Sequence, residues 1–264
     1  NVTGTHNLCS SIVEVDKNIH LIHLGTMGVY GYSKQFGKIP EGYLDITINS
    51  TGQSSQILYP ANPGSVYHLT KCLDQLIFQF YNKNWGLKVT DLHQGIVWGV
   101  QTAETVKDPR LVNRFDFDGI YGTVLNRFIS QGASGHPLTV YGTGGQKRAF
   151  IHITDTAKCI QLALESVTEV DASRVRIMNQ VSETYTVKEL AEMISEKTGV
   201  SVNFLENPRK ELSENDLEVA NDEFLSLGFK PTLLNAALMD DIFEIAKFQK
   251  NRLIPSKVNN SPKW

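Results

Sequence analysis

The feature that limits the possible folds of this chain most is the alternation of strand-like and helix-like segments in its first hundred residues. The apolar run 19–24 is typical of a buried strand, residues 65–82 carry apolar side chains at helical spacing, and residues 87–92 return to a strand-like pattern. Strands that alternate with helices favour a parallel sheet with helical crossovers. The sequence therefore predicts an α/β fold.

A looser pattern beyond about residue 105 indicates a second lobe. Thr186 and Glu189 have the spacing of a capping box and predict the start of a helix there. We expect a first part over residues 1–105 and a smaller, mixed α/β lobe over 106–264. Residues 148–167 are expected to return from this lobe to the first part.

Two local patterns carry narrower predictions. Residues 32–64 are rich in Gly, Ser, Asn and Pro and predict a long loop, which is uncommon unless it is functional. Asp155 precedes a helical pattern over 156–166 and is predicted to be its N-cap.

Composition excludes several classes of function. A net charge of −3 leaves no basic surface for nucleic acid or for an anionic membrane. Apolar runs fall far short of the roughly 20 residues that a membrane helix needs. The 3 cysteines are widely spaced and odd in number, which favours a reducing compartment such as the cytoplasm. The 7 histidines form no cluster at ligand spacing, so we expect no metal site.

Tyr67 and Lys71 stand four residues apart at the start of the predicted helix 65–82. Residues at this spacing share a helix face, and a nearby ammonium lowers the pKa of a phenol. Such a phenol can take a proton from a sugar hydroxyl while a hydride leaves the same carbon. The pair also arises by chance, and the alternative is a tyrosine that lies over a helix turn.

Four stretches together resemble the extended short-chain dehydrogenase/reductase family, which comprises NAD-dependent nucleotide-sugar epimerases and dehydratases. They are residues 24–31 (LGTMGVYG), the pair Tyr67 and Lys71, residues 94–99 (QGIVWG) and residues 148–155 (RAFIHITD). The resemblance covers nearly the whole chain. It implies a Rossmann-like, doubly wound parallel sheet that binds NAD, with a smaller lobe that binds a UDP-sugar.

Within this family the likeness is to the UDP-sulfoquinovose synthase branch, which combines UDP-glucose with sulfite through a 4-keto intermediate. The segments that carry it are 25–28, 67–69, 91–95, 113–114, 135–142, 144–146 and 207–209. Two alternatives on the same fold are a UDP-glucose 4-epimerase and an NDP-sugar 4,6-dehydratase. A non-catalytic dinucleotide-sensing protein is an alternative of another class.

The resemblance assigns catalytic roles to four residues. Tyr67 is the base for the 4-hydroxyl proton, Lys71 lowers its pKa and holds the nicotinamide ribose, and Thr26 hydrogen-bonds the same hydroxyl. His68 is assigned to later steps. Judged alone, Thr26 is as well explained by capping of backbone groups, and His68 by an exposed position on a helix.

Further residues are assigned to ligand binding by the same resemblance. Gln94 and Val97 are expected to contact the cofactor, together with Tyr67 and Lys71. Arg148 and Arg209 are candidates for the substrate diphosphate, because guanidinium groups match phosphate oxygens in pairs; the alternative for either is a surface ion pair. The other expected substrate contacts are Thr26, Met27, Gln94, Asn113, Arg114, Asn126, Thr139, Val140, Tyr141 and Gln146.

Two departures from the family pattern bear on these expectations. The glycine-rich phosphate loop of the family is absent, so we expect about 100 residues to precede this chain in the whole protein, since each βαβ unit takes about 30. The residues printed here are then expected to bind NAD weakly and to be inactive alone. Val29 stands where the synthase branch has a glutamate.

The family pattern also implies partners and a compartment. Sulfite, free or from a donor protein, is the second substrate of the synthase branch. Family members commonly pair through helices beside the catalytic one, so a homodimer is expected. The location would be the cytoplasm, or the chloroplast stroma in a plant or alga.

Overall fold

The structure is a computed structural model that describes residues 1–31, 37–111, 115–117, 122–166, 173–207 and 212–248. In chain order its strands are β1 Leu21–Leu24, β2 Tyr43–Thr47, β3 Ser54–Leu58, β4 Val89–Gln94, β5 Ile96–Trp98, β6 Leu138–Tyr141, β7 Lys147–His152, β8 Arg176–Gln180, β9 Glu183–Thr186 and β10 Val202–Leu205. Its α-helices are α1 Val2–Asp16, α2 Val66–Trp85, α3 Val124–Ala133, α4 Ile153–Glu165, α5 Val187–Thr198, α6 Asp222–Ser226 and α7 Ala236–Phe248.

The chain divides into two compact units. Unit 1 comprises Asn1–Gly95, Ala157–Val181 and Glu218–Lys230, and unit 2 comprises the three intervening or following segments, Ile96–Thr156, Ser182–Leu217 and Pro231–Trp264. The division expected at residue 105, with a return over 148–167, stays a prediction.

Unit 1 is built on a parallel sheet with the strand order β1-β4-β8. Helices α1 and α2 pack together beside this sheet, and their apolar side chains meet those of the strands in one core that includes Cys9, Ile12, Phe78, Leu87 and Val89. Parallel strands joined by helices are what the alternating pattern predicts, and the α/β class is confirmed.

Helix α2 has clear signals at both ends. The Ser65 hydroxyl accepts a hydrogen bond from the His68 amide, which satisfies one of the free N–H groups of the first turn. Gly86 ends the helix at φ 69°, a left-handed conformation that glycine adopts without a steric cost. The helix therefore begins where the sequence predicts it and runs three residues past the expected end at 82.

The expected long loop is only partly a loop. Strands β2 and β3 lie inside the range 32–64 and pair as an antiparallel hairpin, with Tyr43 opposite Leu58 and Thr47 opposite Ser54. The prediction of a structureless segment was wrong there, because Ile, Leu and Thr side chains within a polar segment favour a two-stranded ribbon.

Unit 2 combines a mixed sheet, β5-β7-β9, with a parallel pair, β10-β6. Helices α3, α5 and α7 pack around one apolar core whose largest members include Trp98, Phe128, Phe150 and Phe243. Thr186 and Glu189 form the predicted capping box at the start of α5, with both reciprocal hydrogen bonds present.

Asp155 does not cap a helix as predicted. Helix α4 begins at Ile153, so Asp155 lies in its first turn. Its carboxylate accepts hydrogen bonds from the Ser182 hydroxyl, the Thr232 amide and the Thr232 hydroxyl. These partners come from distant parts of the chain, which a local pattern does not reveal.

Candidate active site

Thr26 lies just past the carboxyl end of strand β1 and starts the 3-10 turn Met27–Tyr30. Its hydroxyl oxygen accepts a hydrogen bond from the Gly28 amide at 3.1 Å. This is the backbone-capping role that the sequence left open, and it fixes the hydroxyl while leaving its proton free to be donated. Met27 is buried in the turn, consistent with a packing role.

Tyr67 and His68 occupy the first turn of α2, beside the 3-10 turn. Tyr67 is 42% exposed, and its ring lies 5.5 Å from the His68 ring. A Cβ atom at Gly28 would stand 2.2 Å from His68 Cδ2, so only glycine at this position admits the imidazole. The Thr-Met-Gly segment and the Tyr-His segment are thus parts of one arrangement, and His68 is half-buried.

Lys71 is anchored at the end of strand β1. Its Nζ donates to the Leu24 carbonyl oxygen at 2.8 Å and contacts His23 Nε2 at 3.1 Å. Burial lowers the pKa of Lys71 below its usual value, and the carboxylates of Asp74 and Asp91 oppose that shift. An ammonium held one helical turn from Tyr67 can stabilise a phenolate.

Behind Lys71 lies a buried cluster of polar side chains on strands β1 and β4. Asp91 contacts His23 Nδ1 through Oδ1 at 2.8 Å and His93 Nε2 through Oδ2 at 3.1 Å. Burial alone would raise the pKa of Asp91, but the charge of His93 and hydrogen bonds from His23 and His93 bring it below its usual value. Asp91 is therefore a carboxylate at neutral pH.

Gln94 lies at the carboxyl end of β4, opposite Gln180 at the end of β8. The Gln180 amide is fully buried, and neither its nitrogen nor its oxygen has a hydrogen-bond partner in the described part of the chain. Buried amides without partners are rare and call for a ligand or a water molecule. Ligands of open parallel sheets bind outside the carboxyl ends of the strands.

The expected cofactor and substrate residues on the strands of unit 2 are partly or fully buried. Val97 lies in β5 and pairs with Ile151. Val140 is fully buried, so its side chain belongs to the core. The backbone groups of Thr139 are engaged by side chains of α3, because Gln131 accepts from its amide and Arg127 donates to its carbonyl oxygen.

Three further residues of unit 2 lie around the turn between β6 and β7. The Tyr141 ring carries the Arg127 guanidinium at 4.9 Å from its centroid, and its carbonyl oxygen accepts from Gln146 Nε2 at 3.5 Å. Arg148 is buried in β7, where its Nη1 donates to the Lys147 carbonyl oxygen at 3.1 Å. Arg148 is thus not a surface residue.

Two buried amide oxygens in unit 2 lack partners. Asn126 Oδ1 on helix α3 and Gln146 Oε1 accept no hydrogen bond from the described residues. Both residues were selected from the sequence as substrate contacts. An unpartnered buried acceptor costs free energy unless a donor satisfies it, and a ligand N–H or O–H group could supply that donor.

Three predicted site residues, Asn113, Arg114 and Arg209, lie outside the described residues. Among the residues that are described, no group of three or more His, Cys, Asp and Glu side chains is arranged to hold a metal ion. No helix in the described ranges is long and apolar enough to cross a membrane. The absence of a metal site stays a prediction.

Sequence reasoning missed the roles of His23, Asp91 and His93. A signal was present, since Asp91 lies in the run 87–92 that was predicted to be a strand, and His93 follows it directly. A charged residue in a buried strand is rarely tolerated without a partner. The sequence does not show which neighbouring strand carries the partner of such a residue.

Two curated relatives match most of the chain. The chain is 40% identical over its full length to UDP-sulfoquinovose synthase of Spinacia oleracea, named as chloroplastic, and covers 55% of that protein. It is 39% identical over 88% of its length to UDP-sulfoquinovose synthase of Sulfolobus acidocaldarius, of which it covers 58%. The chain therefore spans little more than half the length of these relatives.

Solved structures with the same fold include two nucleotide-sugar enzymes. One is a dTDP-glucose 4,6-dehydratase from Streptomyces venezuelae. Its alignment covers 97% of this chain and 68% of the dehydratase chain, with a TM-score of 0.69 and 21% sequence identity. The other is a UDP-glucuronic acid 4-epimerase from Bacillus cereus. Its alignment covers 96% of this chain and 68% of the epimerase chain, with a TM-score of 0.66 and 20% sequence identity. These likenesses confirm the Rossmann-like fold predicted from the sequence.

The family match is independent of these individual relatives. It covers residues 1–179, which include the 3-10 turn, helix α2 and strand β4, and so contains Thr26, Tyr67 and Lys71. The chain belongs to the NAD dependent epimerase/dehydratase family.

Proposed function

We propose that the whole protein to which this chain belongs is a UDP-sulfoquinovose synthase that uses NAD, UDP-glucose and sulfite. The observation that carries this proposal is the anchoring of the Lys71 ammonium, on the helix that carries Tyr67, at the end of β1, two residues before Thr26 in the chain. The 40% identity to the spinach enzyme supports the choice of reaction within the family.

Each of the four residues near the 3-10 turn has a part in this reaction. Tyr67, as phenolate, accepts the proton of the sugar 4-hydroxyl, while Thr26 donates a hydrogen bond to the same oxygen. Lys71 keeps the phenolate stable. The resulting 4-keto group makes the C5 proton acidic, so water can leave across C5 and C6. Sulfite then adds at C6 while a proton returns to C5, and return of the hydride to C4 and of the Tyr67 proton to the oxygen restores the 4-hydroxyl. His68, held against Gly28, is proposed to act in the elimination and addition steps.

The residues present fit NAD at one end of the sheet. Lys71 has one N–H left after its two observed contacts, and the buried Gln180 amide beside Gln94 offers an unsatisfied donor and acceptor. We assign Lys71, Tyr67 and Gln94 of unit 1 as contacts of the nicotinamide half, and Val97 stays a predicted cofactor contact. When bound, NAD supplies the hydride acceptor.

The nucleotide sugar is proposed to engage unit 2. The unpartnered oxygens of Asn126 and Gln146 are suited to the hydroxyl or N–H donors of a UDP-sugar. Arg148 adds a buried cation for the diphosphate, with Arg209 as a further candidate, and Arg114 is a candidate for the lining of the sugar-nucleotide pocket. Thr139, Val140 and Tyr141 complete the expected nucleotide contacts, and Asn113 and Met27 the sugar contacts. Val29 is buried in the 3-10 turn, so the glutamate role of the synthase branch has no counterpart at this position.

We also propose a homodimer that forms through α1 and α2. Apolar side chains on the outer face of these helices are exposed, namely Leu8, Leu69, Leu73, Leu76 and Phe80. A groove of about 250 Å³ runs between the helices and is lined by Val2, His6, Leu73, Leu76, Ile77, Phe80 and Tyr81. Exposed apolar patches of this kind mark interaction surfaces. Sedimentation of the whole protein with and without Leu76→Glu tests this, and a dimer that persists in the variant would place the interface elsewhere.

Incubation of the whole protein with UDP-glucose, NAD and isotopically labelled sulfite tests the reaction. Label in a sulfonated nucleotide sugar supports the proposal. Formation of UDP-galactose, or of a 4-keto-6-deoxy sugar, would instead identify a 4-epimerase or a 4,6-dehydratase. A protein that binds NAD but converts none of these substrates would be the non-catalytic sensor. A parallel incubation without free sulfite, but with a donor protein, distinguishes the two possible sulfur sources.

The compartment follows the same proposal. The spinach relative is named as chloroplastic, so the stroma is proposed if the source is a plant or alga, and the cytoplasm otherwise. Fractionation of source cells with an antibody against this chain checks the assignment.

A further inference from the structure

A continuous series of hydrogen bonds leads from Lys71 into the interior of unit 1. Lys71 Nζ contacts His23 Nε2 at 3.1 Å, and His23 Nδ1 contacts Asp91 Oδ1 at 2.8 Å. Asp91 Oδ2 contacts His93 Nε2 at 3.1 Å, and His93 Nδ1 contacts the Tyr30 hydroxyl oxygen at 2.8 Å. We refer to His23, Asp91 and His93 as the histidine–aspartate network.

The partners of Tyr30 determine where the protons of this network lie. The Asn179 amide nitrogen donates to two backbone carbonyl groups, so its oxygen must accept from the Tyr30 hydroxyl at 2.9 Å. The Tyr30 oxygen also accepts from the Gly42 amide, which leaves one lone pair for His93 Nδ1–H. Burial raises the pKa of Tyr30, so it stays a neutral phenol. With Nε2 against Asp91, each ring nitrogen of His93 donates a hydrogen bond.

The contact with Asp91 fixes the orientation of the outer histidine, His23. Asp91 accepts the Nδ1–H of His23, which leaves the lone pair of His23 Nε2 directed at Lys71. An ammonium has three N–H donors, of which one goes to the Leu24 carbonyl oxygen and one to His23. The third is then left for Tyr67 or a ligand.

The backbone at the end of strand β1 is shaped to admit this network. A Cβ atom at Gly25 would stand 2.4 Å from Asp91 Oδ1 and 2.9 Å from His93 Cδ2. The residue that precedes the catalytic Thr26 therefore lies directly against the buried carboxylate. Any other side chain at this position would have to displace the carboxylate, so the turn and the network form one arrangement.

We propose that His23 is a positioning residue for catalysis, which anchors the Lys71 ammonium one helical turn from Tyr67 and is itself held by Asp91, whose other oxygen contacts His93. This inference rests on the proposed function, since it assigns His23 to the acid–base pair of that reaction. His23 touches neither substrate nor reacting atoms. It acts through Lys71.

Removal of the His23 contact has a predictable direction, because another carboxylate lies nearby. The groups that face Lys71 are His23 from β1, Asp91 from β4 and Asp74 from its own helix, with His93 behind Asp91. Asp74 is 1% exposed, its carboxylate has no hydrogen-bond partner in the described ranges, and one oxygen lies 3.8 Å from His23 Nε2. Without His23, the ammonium is drawn to Asp74 and away from Tyr67. The neighbour of Tyr67 is His68, which the substitution leaves in place.

Two substitutions of His23 separate its two hydrogen bonds. An asparagine amide reaches about as far as Nδ1, so His23→Asn keeps the contact to Asp91 and removes only that to Lys71. A glutamine amide reaches about as far as Nε2, so His23→Gln keeps an acceptor for Lys71. His20→Asn is the matched control, because His20 immediately precedes the same strand and bonds Thr90 Oγ1 instead.

The readout is the pKa of Tyr67 in the whole protein, measured without substrate. Tyrosinate absorbance is titrated in each protein and in the same protein with Tyr67→Phe, and the difference reports Tyr67 alone. We expect His23→Asn to raise the pKa of Tyr67 by about one unit. His23→Gln should shift it by less than half of that, and His20→Asn should not shift it. The acidic limb of the pH profile of NAD reduction should move to higher pH by the same amounts, with the KM for UDP-glucose unchanged.

An unchanged Tyr67 pKa in His23→Asn would overturn the inference, as would an equal shift in His20→Asn. The titration needs no turnover, so the two proposals fail separately. A shift in a protein that does not reduce NAD would refute the proposed function and leave His23 as a positioning residue. Turnover of UDP-glucose without a shift of the Tyr67 pKa would refute the role of His23 and leave the proposed function in place.

Discussion

Strands β4 and β7 are both six residues long and both lie at the centre of a three-stranded sheet, yet they bury different chemistry. In strand β4, unit 1 buries Thr90, Asp91 and His93. Strand β7 of unit 2 buries Arg148 and His152 towards its ends, but Ala149, Phe150 and Ile151 between them. Burial of polar groups costs free energy that an apolar segment avoids. The polar segment of β4 lies behind Lys71, so in our proposal unit 1 gives up stability to orient the pair Tyr67 and Lys71.

The difference also extends to how each unit would hold a ligand. Unit 1 places side chains with protons to exchange at the ends of parallel strands. Unit 2 offers backbone segments, two amide oxygens without a partner among the described residues, and buried Arg148 around an apolar core. Chemistry is thus expected to fail when unit 1 is altered, and affinity when unit 2 is altered.

The largest expected effect comes from the phenol of unit 1. Tyr67→Phe removes the proposed general base and should lower the rate of NAD reduction by UDP-glucose about 10³-fold in the whole protein. Tyr81→Phe is the control, since Tyr81 is buried on the same helix, in its core-facing surface. An unchanged rate of NAD reduction in Tyr67→Phe would show that Tyr67 is not the general base, and would contradict the assignment of the catalytic step to unit 1.

The contrast between β4 and β7 can be tested through stability. Asp91→Asn breaks a buried ion pair and should lower the free energy of unfolding by about 3 kcal/mol. Ile151→Val in β7 deletes one methylene from an apolar core and should cost only about 1 kcal/mol. Urea denaturation of both variants measures the difference. Equal losses of unfolding free energy would mean that the polar side chains of β4 are no more important for stability than the apolar side chains of β7.

The stability contributed by Asp91 should depend on pH in a definite direction. Its pKa in the folded state lies below that of an unfolded aspartate, about 4. The contribution is therefore complete above about pH 4 and is lost as the pH falls further, because protonation is resisted only in the folded state. The stability gap between wild type and Asp91→Asn, followed from pH 7 to pH 3, should narrow at the acid end. A gap that widens there would contradict the lowered pKa.

The smallest effects are expected at two glycines of unit 1. Gly28→Ala pushes a Cβ atom into the His68 ring and should lower turnover about tenfold, as a displaced catalytic group does. Gly4→Ala meets no atom within 4 Å in helix α1 and should instead stabilise the protein by about 0.5–1 kcal/mol. Turnover and thermal unfolding of both variants separate a steric effect at the site from a general effect of alanine.

The sequence predicted the elements whose signals are local. Ser65, the apolar stripe of α2 and the Thr186–Glu189 capping box each lie within a few residues of what they determine. The β2–β3 hairpin was missed because polar, turn-rich composition outweighed its short apolar runs. Asp155 was misplaced because its partners, Ser182 and Thr232, are distant in sequence.

The candidate site was predictable only in part for the same reason. Tyr67 and Lys71 share a helix, so their spacing is visible in the sequence. The contact of His68 with Gly28, and the network of His23, Asp91 and His93, depend on which strands and turns become neighbours. A single sequence carries no direct record of that pairing.

Above all, we propose that Tyr67 and Lys71 of unit 1 take the proton of the 4-hydroxyl group of a UDP-hexose while a hydride leaves carbon 4. The most direct measurement follows the first oxidation step alone, in the whole protein with NAD, without sulfite, and with UDP-glucose that carries deuterium at C4. The account predicts slower NAD reduction than with the unlabelled sugar and deuterium in the reduced nicotinamide. NAD reduction at the same rate, with deuterium still on the sugar, would contradict it.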